Sequence, residues 1–184
     1  ITVLTSDPDQ RMRALAAFSL GEIESNYAAA PLIEQLQNRS LDLAVRARVL
    51  EALGKIASNR DSAAALGAYG TRTIAGLIAG SLPVASKELN DDEKLLGSLA
   101  VTALIRLKDP ETVKALVAQL RARDPGMRWQ AANALARIGK GIDVADSDLL
   151  AMLEDKEPLA RASAARALAI AKEKRAADPL IKLL

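Results

Sequence analysis

The amino-acid sequence predicts an all-α protein, an α-α superhelix in which helix pairs stack into a solenoid. Three observations support this: an arginine-led motif recurs along the chain, an apolar stripe of helical period follows each copy, and aromatic residues are scarce. Of the 184 residues, 50% are hydrophobic but only 2% are aromatic. The core must therefore come from Ala, Leu, Ile and Val. Ala and Leu are strong helix formers, whereas sheets are enriched in β-branched and aromatic residues.

The recurring motif is an Arg followed, seven residues later, by Leu-Gly or Leu-Ala, with small residues between them. Four copies begin at Arg13, Arg46, Arg128 and Arg161, and a degenerate copy has Gly97 at that position. Successive copies lie 33, 51, 31 and 33 residues apart. Three intervals therefore agree on one unit length, and the other carries an insertion. A fixed period of this length is typical of a repeat architecture.

A second motif follows each copy and has apolar residues at i, i+1 and i+4, which places one stripe on a helix. Each unit is therefore predicted to be helix A, a turn and helix B. The stripe of one pair is buried only when neighbouring pairs stack. We expect residues 1–184 to form a single array of about five helix pairs, near 7–38, 42–82, 93–120, 124–153 and 157–184.

Helix ends are predicted from Asp-Pro and Gly. Asp-Pro pairs at 7–8, 109–110 and 124–125 place an N-cap Asp before Pro at the first helical position. Gly21 and Gly54 are expected near the ends of their A helices, where Gly tolerates a left-handed terminus.

Both ends of the sequence resemble cuts through the array. Residues 2–4 have the pattern of the tail of a preceding helix B, and the chain stops at Leu184 without a polar capping helix. Solenoids normally need terminal repeats with a polar outer face. We therefore expect a fragment of a longer protein, and end-to-end self-association of the uncapped array stays open.

The motifs resemble the HEAT-like repeats named after phycobilisome (PBS) lyases. The resemblance is clearest in Arg46 with Ala-Leu-Gly-Lys-Ile at 52–56, and in Asp-Pro at 124–125 with Arg128 and Ala-Leu-Ala-Arg-Ile-Gly at 134–139. It implies the fold and says little about function. More weakly, 100–106 and 129–136 are similar to HEAT regions that precede cyclophilin-type prolyl isomerase domains in some bacterial proteins. That likeness implies a catalytic domain outside this chain.

Composition argues against several classes of function. The net charge is +2, so nothing favours binding to nucleic acid or to an anionic membrane. Without Cys or His there is no thiolate zinc site and no His-assisted nucleophile, and the commonest metal ligand is missing. We expect no cofactor and no metal. The sequence contains no run of 18 apolar residues, so no membrane span is predicted. The lack of Cys leaves the compartment open, with the cytoplasm slightly favoured over export.

The repeated arginines form a candidate ladder, and Asp residues precede them. Arg13, Arg46, Arg128 and Arg161 are each expected to bind Asp side chains or main-chain carbonyls at the turns, with Asp42 paired to Arg46, Asp124 to Arg128 and Asp155 to Arg161. A phosphate-binding ladder is the alternative. The structural interpretation is favoured because the pairing recurs with the repeat and the charges cancel.

The B helices are expected to line a concave groove for a protein or peptide partner. One predicted exposed row is Gln35, Ser81, Gln119, Met152 and Leu183, and its neighbour is Glu34, Gly80, Ala118, Ala151 and Lys182. Both rows are mostly small, neutral or apolar. The candidate contacts are Glu34, Gln35, Ser81, Gln119, Met152 and Lys182. Such a groove suits an extended peptide or a partner helix, and the alternative is a row that faces solvent or packs within the array.

The insertion at about 58–72 is the segment least like the repeat. Insertions on solenoids map to one face, often the binding face. Tyr69, between Gly67 and Gly70, is a candidate anchor with Arg72 beside it. The alternative is a short helix that covers local core.

The sequence thus predicts a protein-interaction scaffold without catalysis of its own. One alternative is a regulatory or substrate-binding module attached to an enzyme domain outside this chain, such as a prolyl isomerase. A less favoured alternative is a bilin-lyase-like enzyme, which rests on the shared repeats alone.

Overall fold

The computed structural model describes residues 1–38, 40–109 and 112–182, and no strand occurs in these ranges. Short 3₁₀ turns at Asn26–Ala28, Ile142–Ala145 and Lys174–Ala176 lead into three of the helices. The α-helices are α1 (Thr2–Ser6), α2 (Gln10–Ile23), α3 (Ala29–Gln37), α4 (Leu43–Ser58), α5 (Arg60–Ala79), α6 (Asp91–Leu107), α7 (Val113–Gln119), α8 (Pro125–Ile138), α9 (Asp146–Met152), α10 (Pro158–Ala171) and α11 (Ala177–Ile181).

The helices stack in two layers, as the repeat predicts. The A helices α2, α4, α6, α8 and α10 pack in chain order, each against the next. The B helices α3, α5, α7, α9 and α11 follow them in the chain, and α3, α5, α7 and α9 also pack against the A helix of the next unit. One continuous core runs between the layers, and its largest fully buried side chains include Leu32, Leu53, Leu104 and Leu135. The predicted all-α solenoid is confirmed.

Two glycines allow the A helices to approach closely. A Cβ on Gly21 would lie 2.8 Å from Cα of Ala52, and one on Gly54 would lie 2.8 Å from Cβ of Ala103. Both glycines lie within about one turn of the ends of their helices, as predicted, but neither adopts the expected left-handed conformation. The helix α2 continues to Ile23 with Glu24 in the left-handed conformation after it, and α4 continues to Ser58. Both glycines serve the packing of one repeat on the next.

The predicted N-caps are correct at one position. Asp124 accepts a hydrogen bond from the amide of Met127, with Pro125 at the start of α8. The cap of α2 is Asp9 rather than Asp7, whose carboxylate instead accepts from the amide of Asp9. The helix after Asp109 begins only at Val113, and Pro110 lies outside the described residues.

The insertion is largely helical and forms the first part of α5. Gly67 breaks this helix, with φ 67° and ψ 175°. Before the break, the hydroxyl of buried Ser62 donates to the carbonyl of Glu24, and Asn59 Nδ2 donates to Glu24 Oε2 at 2.6 Å. The first part of the insertion therefore covers the carboxyl end of α2. Within the described ranges, no helix combines the length and the apolar character needed to cross a membrane.

Candidate partner-binding surface

The four arginines of the ladder point at the turns that precede their helices. Nη1 of Arg13 donates to the carbonyl of Asp7 at 3.2 Å. Nη1 of Arg128 donates to the carbonyls of Ala122 and Arg123 at 2.9 and 3.0 Å, and Nη1 of Arg161 donates to those of Asp155 and Lys156 at 2.8 and 3.3 Å. In each case a part-buried guanidinium satisfies carbonyls that the turn leaves without helical partners.

Arg46 reaches further back along the chain than the other three. Its Nη1 and Nη2 donate to the carbonyls of Leu36 and Asn38 at 3.2 and 2.5 Å. These carbonyls belong to the carboxyl end of α3 rather than to the residues just before α4. Arg46 therefore connects the end of the first unit to the start of the second.

The predicted pairing of Asp and Arg within one unit is wrong. Asp42 and Asp124 are N-caps: Asp42 Oδ1 accepts from the amides of Ala44 and Val45 at 2.9 and 3.4 Å. Neither carboxylate binds the Arg four residues later, because a capping oxygen is directed at the first turn of its own helix. Arg161 binds the carbonyl of Asp155 rather than its side chain.

The carboxylate of Asp155 instead binds Arg128 of the preceding unit. Nε of Arg128 lies 2.6 Å from Oδ2 of Asp155, and Nη2 lies 2.8 Å from Oδ1. This two-point ion pair lowers the pKa of Asp155 below its ordinary value and raises that of Arg128. It links two repeats, which explains why the spacing within one repeat does not reveal it.

The B helices expose one of the two predicted rows. Glu34, Gly80, Ala118, Ala151 and Lys182 are all exposed, so this row faces solvent along the array. In the other row Gln35 and Ser81 are half-buried, and Leu183 lies outside the described residues. The expectation that Gln119 and Met152 are exposed is wrong, since only 4% and 5% of their surfaces are accessible. Adjacent positions on a helix differ by about 100°, and this rotation turns the second row inward.

Gln119 is buried because the connection from α5 to α6 folds over it. Its Nε2 donates to the carbonyl of Pro83 at 2.7 Å, and the amide of Arg123 donates to the carbonyl of Ala85 at 2.9 Å. These bonds hold the connection against the end of α7. The side chain that was predicted to contact a partner therefore anchors a turn.

Two cavities open among the B helices and the turns at their ends. The larger is about 430 Å³ and is lined by Leu36, Gln37, Arg46, Gly76, Leu77, Gly80, Ser81 and Leu96. The smaller is about 160 Å³ and is lined by Leu150, Leu153, Glu154, Pro179 and Lys182. Ser81 and Lys182 were predicted from the B-helix pattern. Leu96 and Arg46 were not predicted to line it, because they belong to the A helices α6 and α4.

On the A-helix face, a group of charged side chains joins α2 to α4. Lys55 Nζ lies 2.5 Å from Glu22 Oε1 and 2.9 Å from Glu51 Oε1, and it also stands over the ring of Phe18, as does Arg48. The hydrogen bond from Lys55 to Glu22, followed by that to Glu51, raises the pKa of Lys55. These contacts hold α2 against α4.

A second group of titratable side chains joins the last two units. The Arg175 guanidinium lowers the pKa of Glu173 to about 2. Burial, followed by the hydrogen bond shared with Glu173, raises the pKa of Asp146. Across the part of the chain that the structure describes, no three acidic or His side chains are placed to hold a metal ion.

The insertion presents its candidate anchor to solvent. Tyr69 follows the break at Gly67 and is 87% exposed, and Arg72 is exposed one turn later. Trp129, by contrast, packs against the core between repeats. Neither Tyr69 nor Arg72 lines the larger cavity, although Arg72 stands one helical turn before Gly76 on α5.

Comparison with known proteins identifies the repeat. A family model described as HEAT repeats matches residues 1–75 and 82–151. The chain belongs to the HEAT-repeat family. A model for the PBS lyase HEAT-like repeat matches residues 160–184, so HEAT-type sequence continues through the last helix pair. A search of the curated proteins finds no match.

Two solved structures of engineered proteins, both Northeast Structural Genomics Consortium targets, are similar to this HEAT-repeat chain. The first is 26% identical with a TM-score of 0.59, and the match covers 92% of this chain and 76% of the engineered one. The second is 24% identical with a TM-score of 0.58, covering 91% of this chain and 46% of the other. The second likeness shows the fold alone.

Proposed function

We propose that this HEAT-repeat chain is a protein-interaction scaffold that binds an extended peptide segment of a partner along its B-helix face. The observation that carries the proposal is the cavity of about 430 Å³ between α3, α4, α5 and α6. Its volume is in the range of ligand sites, about 300–1,000 Å³. Three leucines supply an apolar floor, which is the kind of surface that binds side chains of a peptide.

The character of the two faces supports the same choice. The exposed B-helix row carries charge only at its ends, in Glu34 and Lys182, with Gly80, Ala118 and Ala151 between them. Small residues leave room for an approaching main chain. The A-helix face, by contrast, carries ion pairs between α2 and α4, in which Lys55 binds Glu22 and Glu51. A partner held on the B-helix face would gain most from apolar contacts and neutral hydrogen bonds.

Gly76 offers a specific way to test the proposal. It is exposed on α5 at the edge of the cavity, and a Cβ added there meets no atom within 4 Å. Gly76→Leu should therefore fill the cavity without disturbing the fold. Ala162→Leu is the matched control, since Ala162 is exposed on α10 at the far end of the array.

The experiment selects binders from a display library of random 12-residue peptides and measures their affinity by fluorescence polarisation. We expect Gly76→Leu to weaken the selected peptides about tenfold or more, whereas Ala162→Leu leaves them unchanged. Selected peptides that bind both variants as tightly as the unaltered chain would place binding elsewhere and refute this function.

A further inference from the structure

Arg46 differs from the ladder arginine Arg128 in what occupies its guanidinium. Nη1 of Arg128 donates to main-chain carbonyls of the turn, whereas Nε and Nη2 donate to the carboxylate of Asp155. In Arg46, two carbonyls take two of the five N–H donors. Within the described residues no carboxylate lies within ion-pair distance of Arg46.

The acid equivalent to Asp155 is present in the third unit but does not reach Arg46. Asp155 stands six residues before Arg161, and the equivalent residue before Gly97 is Asp91. Asp91 is the first residue of α6, where it is exposed and forms no ion pair with Arg46. An open space therefore stands beside Arg46 where Arg128 has the carboxylate of Asp155.

That space is the larger cavity, and Arg46 lines it. Among its described lining residues Arg46 is the only charged one, and the rest are apolar, glycine or neutral polar. The guanidinium is part-buried, so its charge is screened less than that of a fully exposed side chain. The cavity therefore combines an apolar floor with one cation, Arg46, whose remaining N–H donors bind no carboxylate among the described residues.

We propose that this cavity receives the side-chain carboxylate of an Asp or Glu in the partner peptide, which takes the place at Arg46 that Asp155 takes at Arg128. Apolar residues beside that acid pack on Leu36, Leu77 and Leu96. The inference rests on the proposed function and adds the chemistry of the partner. A carboxylate is favoured over a phosphate because one Arg, with no second cation among the described lining residues, matches a single negative charge.

The probes are four N-acetylated heptapeptides titrated into the full ¹⁵N-labelled chain. The first is amidated Leu-Ser-Leu-Glu-Leu-Ser-Leu. In the second Gln replaces Glu, in the third phosphoserine replaces Glu, and the fourth is the Gln peptide with a free C-terminal carboxylate. The readouts are the dissociation constant and the shifts of the Arg46 Nε–H and of the Gly76 and Gly80 amides.

We expect the Glu peptide to bind about tenfold more tightly than the other three, as loss of a charge-assisted hydrogen bond implies. Arg46→Gln should abolish that difference. Arg161→Gln is the matched control, because Arg161 makes similar carbonyl bonds at the other end of the array, and it should preserve the difference. Gly76→Leu should block all four peptides while leaving Arg46 in place, which keeps the test valid if Arg46→Gln unfolds.

Several results would overturn the carboxylate site. Equal binding of the Glu and Gln peptides, with shifts at Gly76 and Gly80, would refute it while the scaffold function stands. Tighter binding of the phosphoserine or free-carboxylate peptide would assign the cavity to a different anion. Absence of any shift at Arg46 with the Glu peptide would also refute the site, and the display selection then decides the scaffold function independently.

Discussion

Asp155 binds Arg128 across the boundary between two repeats, with Nε–Oδ2 and Nη2–Oδ1 distances of 2.6 and 2.8 Å. The same carboxylate accepts the amide of Glu157 at 2.9 Å and so also shapes the turn before α10. Only 20% of the Arg128 side chain and 10% of the Asp155 side chain are exposed. Asp155 thus joins two stacked units and also positions the turn that precedes α10.

Removal of Arg128 should therefore cost more stability than removal of Arg46. Arg128→Ala strands a mostly buried carboxylate, and we expect the free energy of unfolding to fall by about 2–3 kcal/mol. Arg46→Ala loses two bonds to carbonyls but strands no acid, and about 1 kcal/mol is expected. Urea denaturation measures both. Unchanged midpoints for the two variants would contradict a structural role for the ladder.

The Asp155–Arg128 pair should make stability depend on acid. Asp155 has an ordinary pKa of 3.8 when unfolded, and the hydrogen bond from Arg128 lowers it in the fold. Its contribution is therefore complete above pH 3.8 and is lost as pH falls below 3.8 toward the folded pKa. Asp155→Asn should be less stable at pH 7 and should lose less further stability in that acid window. Urea midpoints measured from pH 7 to pH 2 check this.

Asp146 supplies a control of opposite sign for the acid experiment. Burial raises its pKa in the fold, so its protonated form is favoured there and its ionised form disfavoured. That stabilisation is present below pH 3.8 and is lost as pH rises through the folded pKa. Asp146→Asn should therefore not lower the midpoint at pH 7. Parallel curves for Asp155→Asn and the unaltered chain would argue against the assigned ion pair.

The inter-repeat glycines should resist substitution even though Ala favours helices. Ala at Gly21 or Gly54 would place a Cβ 2.8 Å from an atom of the next A helix. We expect a cost of about 1–3 kcal/mol from overpacking, against a propensity gain of about 1 kcal/mol. Gly76→Ala, where the space is open, should stabilise by about 0.5–1 kcal/mol. Thermal unfolding of the three variants gives the comparison, and a stabilised Gly54→Ala would refute the close approach.

The insertion is expected to be more mobile than the A helices around it. The break at Gly67 interrupts the helical hydrogen bonds within α5, and Tyr69 beyond it is exposed. Amide hydrogen exchange at 58–72 should be faster than at 128–138, most of all just after Gly67. Exchange at 60–66 should be the slower part of the insertion, because Ser62 and Asn59 bind Glu24. Exchange equally slow at 58–72 and 128–138 would contradict this prediction.

Much of the fold could be predicted because the same residue pattern recurs in each unit and so forms the same contacts. The Arg motif and the apolar stripes predict the order of the helices. The direction of the B-helix rows could not be predicted, because a rotation of one residue separates exposed Ala118 from buried Gln119. The packing role of Gly21 could not be predicted, because it depends on contact with Ala52 of the next unit. The cavity at Arg46 arises where the repeat is irregular, so no period could indicate it.

We propose that a partner peptide binds the B-helix face of this HEAT-repeat array. A crystal structure of the full chain bound to a peptide from the display selection tests this most directly. We expect the peptide to contact Leu36, Gly76 and Leu96 at the larger cavity. A peptide bound instead on the A-helix face around Phe18, or at Tyr69 of the insertion, would contradict it.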